Sequence, residues 1–344
     1  MRSAAPETFP PAPEGEYGWP WMGPGPRFPD TMPGGAPWPK ISIVTPNYNY
    51  AQFLEATIRS VLIQGYPNLE YIVIDGGSTD GSADIIKKYE PWLAYWHTRK
   101  DRGHADAINS GMRRATGEIM AWLNSDDMYM PWTFRTMAEI FTALPEAHWL
   151  VGHNSWWDEE GRHIASKPVY KNVYNYLLRD FGWIQQESVF WRRGLWEKAG
   201  GTMNEDYRLL IDGELWCRFF TLDTLWHADP VLAGFRHHFK NRSQLNWSGT
   251  ISDMERAITR LAASVPKRVA RDARTLGRIR ALKKALPWLN LDRLARPIFR
   301  RLYREADYRR ISFIGGAWVA NSAPFMTGAW RPGIRHWYCR WVHD

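Results

Sequence analysis

The sequence predicts an α/β fold, in which a Rossmann-like, mostly parallel sheet has helices on both faces. Between residues 41 and 124, four short apolar runs alternate with three segments whose apolar residues recur at helical spacing. The run LEYIVID at 69–75 is apolar almost throughout, which is typical of a strand covered on both faces. Strands and helices that alternate in this way favour a doubly wound sheet with right-handed crossovers.

Each element follows from its own pattern. The predicted strands are ISIVT (41–45), LEYIVID (69–75), LAYWHT (93–98) and EIMAWLN (118–124). The predicted helices lie between them, in NYAQFLEATIRSVLIQ (49–64), ADIIKKYE (83–90) and ADAINSGMRRA (105–115). In the first helix, one face carries the apolar residues Phe53, Leu54, Ile58, Val61 and Leu62.

Polar residues follow three of the four predicted strands. Residues 45–47 (Thr-Pro-Asn) close the first strand, Asp75 ends the second, and Asp126 and Asp127 follow the fourth. The carboxyl ends of parallel strands meet at one edge of a sheet, and open α/β sheets bind ligands there, where the strand order reverses. We therefore expect these residues to share one site.

The adjacent acids Asp126 and Asp127 predict half of a metal site. Two neighbouring carboxylates repel each other, and a bound cation relieves the repulsion. A hard divalent cation takes one or two carboxylates and completes its shell with water and with oxygens of a substrate diphosphate. The alternative is a solvated turn or a helix cap, both of which favour aspartate.

The composition bounds the class of protein. The chain is 44% hydrophobic and 15% aromatic, which is enough for a large core. Cys217 and Cys339 are its only cysteines, so we expect no disulfide framework and a reducing, cytoplasmic setting. No run approaches the roughly 18 apolar residues of a membrane-spanning helix, which predicts a soluble or peripheral protein.

Composition also predicts three regions. The first forty residues hold 11 of the 23 prolines, with glycines between them, and favour a mostly disordered arm. Residues 256–344 carry 20 Lys and Arg against 5 Asp and Glu, and they favour a basic extension. The expected regions are the arm (1–39), the α/β domain (40–250, with halves 40–130 and 131–250) and a helical, aromatic-rich extension (251–344).

Several partners are compatible with the basic extension. A solvated helical face is one interpretation. The aromatic residues in RLYREADYRR and RHWYCRWVHD favour contact with an anionic membrane surface. Nucleic acid is a further alternative, although we do not expect it as a partner.

Two stretches together resemble the nucleotide-sugar glycosyltransferases of family 2, which have the GT-A fold. They are ISIVTPNYNYAQFLEATIRSVLIQGYPNLEYIVIDGGSTDGS and DRGHADAINSGMRRATGEIMAWLNSDD. The likeness runs from about Ile41 to about Ser243, with several motifs in the family's order. Many relatives carry two acids in VDDGS, whereas Gly76 replaces the second one here, which bears on the choice of base.

The resemblance implies a nucleotide-sugar site at the sheet edge. It implies that Asp75 contacts the base and that Asp127 binds Mg²⁺ or Mn²⁺, with Asp126 nearer the ribose and sharing the metal site. The residues that it places in the donor pocket are Thr45, Pro46, Asn47, Tyr48, Asp75, Arg102, Asp106 and Asp126.

The resemblance also implies an acceptor side. Gln186 and Glu187, in FGWIQQESVFWRRGLWEKAGG, would face the reaction centre. Asp212, in YRLLIDGELWCRF, matches the general base, for which a helix cap is the alternative. The sequence does not place His237 and His238. A metal ligand or diphosphate contact is one interpretation for one of them, and an ordinary surface or strand histidine is the other.

These observations predict an inverting, metal-dependent glycosyltransferase of the hexosyltransferase type. It would move a sugar from a nucleotide-sugar, expected to be a UDP-sugar, to a saccharide or lipid-linked acceptor in surface polysaccharide synthesis, at the inner face of a membrane. The sequence has neither GxxxxGK[ST] nor a GxGxxG after the first strand, which argues against P-loop NTPases and dinucleotide-dependent dehydrogenases. The alternatives are a nucleotidyltransferase and a non-catalytic, membrane-associated binding protein on a transferase scaffold.

Overall fold

The computed structural model describes residues 9–22, 28–180, 184–239, 241, 246–286, 302 and 306–323. Its strands are β1 (Ile41–Asn47), β2 (Leu69–Asp75), β3 (Tyr95–Thr98), β4 (Ile119–Trp122), β5 (Met128–Tyr129), β6 (Trp149–Trp157), β7 (His163–Lys167), β8 (Val189–Arg192), β9 (Trp226–Val231), β10 (Ala233–Arg236), β11 (Tyr308–Ile314) and β12 (Ala317–Ala323). Its helices are α1 (Ala51–Leu62), α2 (Ser82–Lys88), α3 (His104–Met112), α4 (Thr133–Ala143), α5 (Val173–Leu177), α6 (Arg193–Lys198), α7 (Ile211–Leu222), α8 (Trp247–Ser264) and α9 (Lys267–Ala285).

A mostly parallel sheet with strand order β12-β11-β9-β6-β8-β4-β1-β2-β3 forms the centre of the molecule. β1 pairs in parallel with β2 and with β4, and β2 pairs in parallel with β3. β8 is antiparallel to both of its neighbours, β4 and β6. The strand order reverses at β1, because the chain continues from β1 outward to β3 and then returns to β4 on the other side. The predicted α/β fold is confirmed, and the reversal lies where such sheets bind ligands.

The strands that carry the predicted site end at one edge of this sheet. β1 continues beyond Thr45 through Pro46 to Asn47, and all seven of its residues are buried. The register puts Asn47 directly beside Asp75, the last residue of β2. β4 ends at Trp122, so the chain leaves the sheet at the same edge shortly before the acid pair.

A cluster of stacked indole rings, which we call the tryptophan cluster, joins β4 to α7. The rings of Trp122 and Trp216 are 5.8 Å apart with 16° between their planes, and Trp149 stacks on Trp216 at 5.7 Å. Trp191 packs edge-on against both Trp122 and Trp216. All four side chains are fully buried. The cluster therefore fixes the start of α7 relative to the end of β4.

The Pro-rich N-terminal segment packs on the α/β domain through Arg59 of α1. Arg59 is only 3% exposed and donates hydrogen bonds to the carbonyl oxygens of Pro10 and Pro20, at 2.8 and 3.2 Å. Its guanidinium group also lies over the rings of Phe9 and Trp21. One buried cation thus contacts both ends of the described stretch 9–22.

Aromatic side chains anchor the same segment at further points. Trp19 donates from Nε1 to the carbonyl oxygen of Tyr129 in β5, at 2.8 Å. Phe28, Trp38 and Tyr66 pack edge to face around one another. Residues 9–22 and 28–39 contain no helix or strand, as their prolines predict. The packing nevertheless differs from the mostly disordered arm that the composition predicts, because the aromatic residues between the prolines bury against the domain.

The region after residue 246 contains two long helices and a hairpin. α8 packs on α7, and α9 packs on α5. β11 pairs in parallel with β9 and antiparallel with β12, so the hairpin extends the sheet. This differs from the helical extension that the sequence predicts, because ISFIGGAWV carries strand-forming residues on both sides of a Gly-Gly turn. The Trp-rich stretch RHWYCRWVHD lies outside the described residues.

None of the helices in the described ranges is both long enough and apolar enough to cross a membrane.

Replacing Arg59 with alanine is expected to destabilise the protein by about 2–4 kcal/mol. The change removes charge-assisted hydrogen bonds to Pro10, Pro20 and the Tyr89 hydroxyl, and it leaves buried carbonyl oxygens without donors. Urea-induced unfolding measures the effect. Arg113→Ala is the control, because Arg113 is exposed at the end of α3 and its loss should change stability by less than about 0.5 kcal/mol. Equal stability of the two variants would show that the N-terminal segment does not stabilise the domain.

Candidate active site

The carboxylate of Asp75 is buried at the end of β2 and accepts five hydrogen bonds. Its Oδ1 accepts from Asn47 Nδ2 at 2.7 Å and from Ser78 Oγ at 2.5 Å. Its Oδ2 accepts from the backbone N–H groups of Gly77 and Ser78, at 3.2 and 3.0 Å, and from the hydroxyl of Thr98. A carboxylate has about four acceptor sites, so Asp75 is fully occupied in holding the loop after β2. It lies at the predicted edge, and its contact with a base stays a prediction.

The other residues predicted at the end of β1 are two buried side chains and one exposed side chain. Thr45 is fully buried, and its hydroxyl lies 2.9 Å from the hydroxyl of Tyr71. Pro46 is also buried within β1. Tyr48, just beyond the strand, is 61% exposed. Thr45 and Pro46 are therefore part of the buried strand at this edge, whereas the ring of Tyr48 is accessible at the surface.

Arg102 and Asp106 form an ion pair at the start of α3. The Arg102 guanidinium lies 2.9 Å from Asp106 and 3.0 Å from Glu205, which lies in the loop between α6 and α7. The backbone N–H of Arg102 also donates to Asp106. The ion pair therefore joins the start of α3 to the loop before α7.

Asp126 and Asp127 lie in the turn between β4 and β5, with different surroundings. Asp127 is fully buried: its Oδ1 accepts from the backbone N–H of Arg236 at 3.0 Å and its Oδ2 from Asn124 Nδ2 at 3.4 Å. Asp126 is half-buried, and its Oδ2 lies 3.0 Å from Nε2 of His238. The burial of Asp127 argues against the solvated turn that was the alternative for this pair.

The structure separates the two histidines that the sequence does not place. His238 has a buried side chain beside Asp126, and its ring packs at 4.6 Å against Phe53 of α1. Asn241 Nδ2 lies 3.0 Å from the same His238 nitrogen. The ring of His237 packs against Phe235 instead, at 5.2 Å. His238 is the histidine that the fold brings to the acid pair.

Glu187 and Asp212 bring two more acids to this site. Glu187 lies with Gln186 in a short 3₁₀ turn (Gln186–Ser188) before β8, and Gln186 Nε2 donates to the carbonyl oxygen of Trp122 at 2.6 Å. Asp212 is the second residue of α7, whose N-cap is Leu210, so Asp212 is not the cap residue. Glu187 is 2% exposed, and its Oε1 has no hydrogen-bond partner within the described ranges.

Burial and mutual repulsion raise the pKa values of the acids. Burial, and then the charges of Asp126 and Glu187, raise the pKa of Asp127 well above its usual range. Burial, and then the charges of Asp212 and Asp126, raise the pKa of Glu187 to about 8. Burial raises the pKa of Asp212 to about 6. The four acids therefore form one electrostatic cluster, which we call the acid cluster.

Arg236, at the end of β10, is a buried cation beside the acid cluster. It is 4% exposed, donates from Nη1 to the carbonyl oxygen of Glu159 at 3.0 Å, and lies over the ring of Phe53. Its Nε and Nη2 atoms have no partner in the part of the chain that the structure describes. Burial lowers its pKa, while the charges of Asp127 and Asp126 act in the opposite direction. Arg236 is not predicted by the sequence, because the histidines are the only residues of GFRHHFKNRS that suggest a site.

The chemistry of the acid cluster fits a divalent cation that binds together with a diphosphate. Asp126 and Asp127 offer carboxylate oxygens and His238 offers an imidazole nitrogen, in a site where the acids outnumber the cations. In the described residues, no three His, Cys, Asp or Glu side chains are arranged to hold a metal by themselves. Mg²⁺ does not require such a group, since it is usually bound by one or two carboxylates and by substrate phosphates.

A comparison with protein families identifies the segment that contains most of this site. Residues 42–191 match the family model for glycosyl transferase family 2. This segment belongs to glycosyl transferase family 2. The family 2 segment contains Asp75, the acid pair and Glu187, while Asp212 and Arg236 follow it in the chain.

Curated relatives of the family 2 segment have names that agree with it. An uncharacterized glycosyltransferase of Nostoc sp. is 37% identical over 105 residues, which are 30% of this chain and 33% of that protein. A putative teichuronic acid biosynthesis glycosyltransferase of Bacillus subtilis is 39% identical over 94 residues, which are 26% of this chain and 37% of that protein. The match thus spans about a third of the length of these relatives.

Solved structures show the same fold beyond the family 2 segment. The structure of S. aureus TarS 1–349 in complex with UDP has a TM-score of 0.54 and 15% identity, over 77% of this chain and 79% of that chain. Another structure of TarS has a TM-score of 0.53 at 15% identity, over 74% of this chain and 44% of that chain. At this identity the likeness shows the fold alone, and it is the fold that the sequence resemblance implies.

Asp127→Asn is expected to stabilise the protein in the absence of metal. Because the pKa of Asp127 is raised in the folded state, the protonated side chain stabilises the fold. This stabilisation is complete below the ordinary aspartate pKa of about 3.9 and is lost as the pH rises through the pKa of the folded state. At neutral pH an uncharged asparagine avoids this loss, and each kcal/mol of added stability should raise the melting temperature by about 2–4 °C. Thermal unfolding from about pH 5 to about pH 8 tests the sign.

Asp158→Asn is the control for this measurement. Asp158 lies outside the acid cluster, and hydrogen bonds from Arg162 help to hold its pKa below the usual range, against its partial burial. Its replacement should leave the melting temperature unchanged or slightly lower. A lower melting temperature for Asp127→Asn than for Asp158→Asn at neutral pH would contradict the electrostatic description of the acid cluster.

Proposed function

We propose that the protein is an inverting, metal-dependent glycosyltransferase that moves a hexose from a nucleotide-sugar to a hydroxyl group of a saccharide or lipid-linked acceptor. The observation that carries the proposal is the acid cluster, in which Asp126 and Asp127 from the end of β4 meet Glu187 and Asp212 from the second half of the domain. Few structural roles require four interacting acids of which two, Asp127 and Glu187, are buried, because burial penalises each charge.

The names of related proteins support the class of substrate. The B. subtilis relative is named for teichuronic acid biosynthesis, and the S. aureus protein of similar fold was solved with UDP. A UDP-sugar donor and a role in surface polysaccharide synthesis are therefore part of the proposal.

On the donor side, Asp126 and Asp127 would hold Mg²⁺ or Mn²⁺. A bound divalent cation supplies positive charge that stabilises the diphosphate as it leaves. The Nε–H and Nη2–H groups of Arg236, which have no partner among the described residues, would add donors on the same side of the site. The nucleoside would lie over the edge formed by Asn47, Asp75 and the exposed ring of Tyr48.

On the acceptor side, Asp212 would act as the general base. Its carboxylate takes the proton of the acceptor hydroxyl, the hydroxyl oxygen forms a bond to the anomeric carbon, and the bond from that carbon to the diphosphate oxygen breaks. A single displacement inverts the configuration at the anomeric carbon and needs no covalent enzyme intermediate. The pKa of about 6 suits a base that is ionised near neutral pH.

Glu187 and Gln186 would position the sugar between the two sides. With a pKa of about 8, Glu187 is mostly protonated at neutral pH and can donate a hydrogen bond from its carboxyl group. Gln186 is fixed by its bond to the Trp122 carbonyl, so its side-chain orientation is set by the sheet.

Two alternative functions would explain only some of the residues in this site. A nucleotidyltransferase would use the metal site and the nucleoside edge, but it would have no use for Asp212 beside Glu187. A non-catalytic binding protein would have no need for buried acids whose ionisation costs folding free energy. Metal-dependent release of UDP with added acceptors separates the transferase from both alternatives.

Asp212→Asn is expected to retain nucleotide binding and lose transfer. Removing a general base typically lowers the rate by about 100-fold to 10,000-fold, and UDP binding with Mn²⁺ should be unchanged. In the parent protein, kcat/KM should rise as the pH increases through about 6, because Asp212 must lose its proton to act. Coupled detection of UDP release measures both effects.

Asp84→Asn, at an exposed position on α2, is the control for the transfer assay and should match the parent protein. Transfer by Asp212→Asn at the parent rate would show that Asp212 is not the base.

We also propose that α9 docks the protein on the inner, anionic surface of a membrane. One exposed face of α9 carries Lys267, Arg271, Arg274 and Arg278 at helical spacing, and Asp272 is the only acid in the helix. Basic residues near an anionic membrane surface contribute about 1 kcal/mol each. This proposal places the protein at the cytoplasmic face of the membrane.

Replacing Arg271, Arg274 and Arg278 with glutamine is expected to weaken binding to vesicles that contain phosphatidylglycerol by on the order of 100-fold. Substitution is preferable to truncation after α8, because truncation also removes the hairpin that completes the sheet. The matched control replaces three exposed basic residues of the domain, Lys87, Arg113 and Lys198, with glutamine. Cosedimentation measures the binding, and equal sedimentation of the two triple variants would rule out α9 as the docking surface.

A further inference from the structure

A second carboxylate, that of Asp101, lies over the backbone at the end of β2. A Cβ atom placed on Gly76 would lie 2.7 Å from Oδ2 and 3.2 Å from Cγ of Asp101. Gly76 follows Asp75 directly, so Asp101 occupies the space that a side chain at position 76 would fill. The loop after β2 also packs closely here, since a Cβ on Gly77 would lie 3.0 Å from the backbone nitrogen of Lys100.

Asp101 and Asp75 differ in how many hydrogen bonds their carboxylate oxygens accept from the protein. Both oxygens of Asp75 are occupied by five internal donors, and the residue is fully buried. A base could bond to Asp75 only by displacing groups that hold the loop. Asp101 is half-buried, and its Oδ1 accepts a hydrogen bond from the backbone N–H of Gly103 at 2.8 Å. Within the described ranges, its Oδ2 has no hydrogen-bond donor.

Neighbouring charges leave this oxygen available as an acceptor. The guanidinium of the next residue, Arg102, is directed to Asp106 and Glu205 and does not pair with Asp101 among the described contacts. Burial, and then the charges of Asp106 and Asp75, raise the pKa of Asp101 above its usual range. A bound N–H group that bonds to Oδ2 would relieve this partly desolvated carboxylate.

We propose that Asp101, rather than Asp75, recognises the base of the nucleotide-sugar. Its Oδ2 accepts a hydrogen bond from a ring N–H group, and Gly76 admits the carboxylate by lacking a side chain. Ionised carboxylates accept hydrogen bonds and do not donate them. The site therefore favours uracil and guanine, whose Watson–Crick edges carry a ring N–H, over cytosine and adenine, which present a bare ring nitrogen there. This inference rests on the proposed function, because it assigns the donor specificity of the same site.

The selectivity among nucleoside diphosphates tests the proposal. Dissociation constants for UDP, GDP, CDP and ADP are measured by calorimetry with Mn²⁺ present. The parent protein should bind UDP or GDP at least about tenfold more tightly than CDP and ADP, because the ring nitrogen of cytosine or adenine is an acceptor and cannot donate to the carboxylate. Asp101→Ala should bring the ratio close to one by weakening the preferred nucleotide.

Gly76→Ala is a second variant that keeps the carboxylate but moves it. The backbone of Gly76 does not lie in the left-handed region, and the atom that the new methyl group would meet is at the end of a side chain. The variant should therefore fold and lose most of the selectivity. Asp84→Ala is the control and should retain it. Thermal unfolding of each variant confirms that the fold is retained.

The outcomes are distinguishable. Unchanged selectivity in Asp101→Ala would overturn the inference and leave the proposed function standing. The same conclusion would follow if Asp75→Asn remained folded and lost the selectivity while Asp101→Ala kept it, or if the parent protein preferred CDP or ADP. If no nucleotide bound to the parent protein with Mn²⁺, the proposed donor site would fail, and this inference with it.

Discussion

The stacked rings of Trp122 and Trp216 set the geometry on which the candidate site depends. Trp122 is the last residue of β4, and the acid pair follows within the next turn of the chain. Trp216 lies one helical turn after Asp212 on α7. The stack therefore couples the position of the proposed metal ligands to the position of the proposed base. Gln186 is fixed to the same place, since it donates to the Trp122 carbonyl.

The four indole rings of the tryptophan cluster are held together by apolar contact and not by hydrogen bonds of their own. The indole N–H groups of Trp122, Trp149, Trp191 and Trp216 have no hydrogen-bond partner in the described part of the chain. An unpaired buried donor costs free energy, but each large ring buries roughly 150–250 Å² and gains further from stacking. The burial and stacking of these rings stabilise the fold and offset part of the repulsion between the acids of the acid cluster.

The acid cluster destabilises the folded state, and the rest of the fold stabilises it. Asp127, Glu187 and Asp212 are all held where burial raises their pKa values, and Arg236 is the buried cation beside them. The rest of the fold offsets this cost through the core, the N-terminal segment and the added hairpin. Such a division, in which the site is strained and the scaffold compensates, is common where charge must be held ready for a ligand.

Local patterns in the sequence predict which residues lie at the sheet edge, but they do not predict the segments that pack around it. The order of strands and helices from Ile41 to Trp122 follows from periodicity, and the topology then brings Asn47, Asp75 and the acid pair together. The packing of the N-terminal segment could not be predicted, because it depends on Arg59, which is far away in sequence. The place of the hairpin beside β9 is a non-local pairing for the same reason.

Within the site, too, the features that the sequence does not predict depend on contacts between distant parts of the chain. Only the resemblance to family 2 points to Asp212 and Glu187 in the sequence, and only the fold shows that they share one electrostatic environment with Asp126 and Asp127. Asp75 looks like a free carboxylate in the sequence, whereas five donors from three separate segments occupy it. Arg236 gave no signal, since a single arginine in a strand is ordinary until its burial is known.

The parallel pairing of β11 with β9 links completion of the sheet to residues that are synthesised long after the other strands. Until Arg309, Arg310 and Ile311 leave the ribosome, their partners on β9 have no neighbour on that side. A bare strand edge is a template for association with other chains. Newly made molecules therefore pass through a stage in which the edge of β9 is exposed, and fragments that stop after α8 would keep that edge exposed.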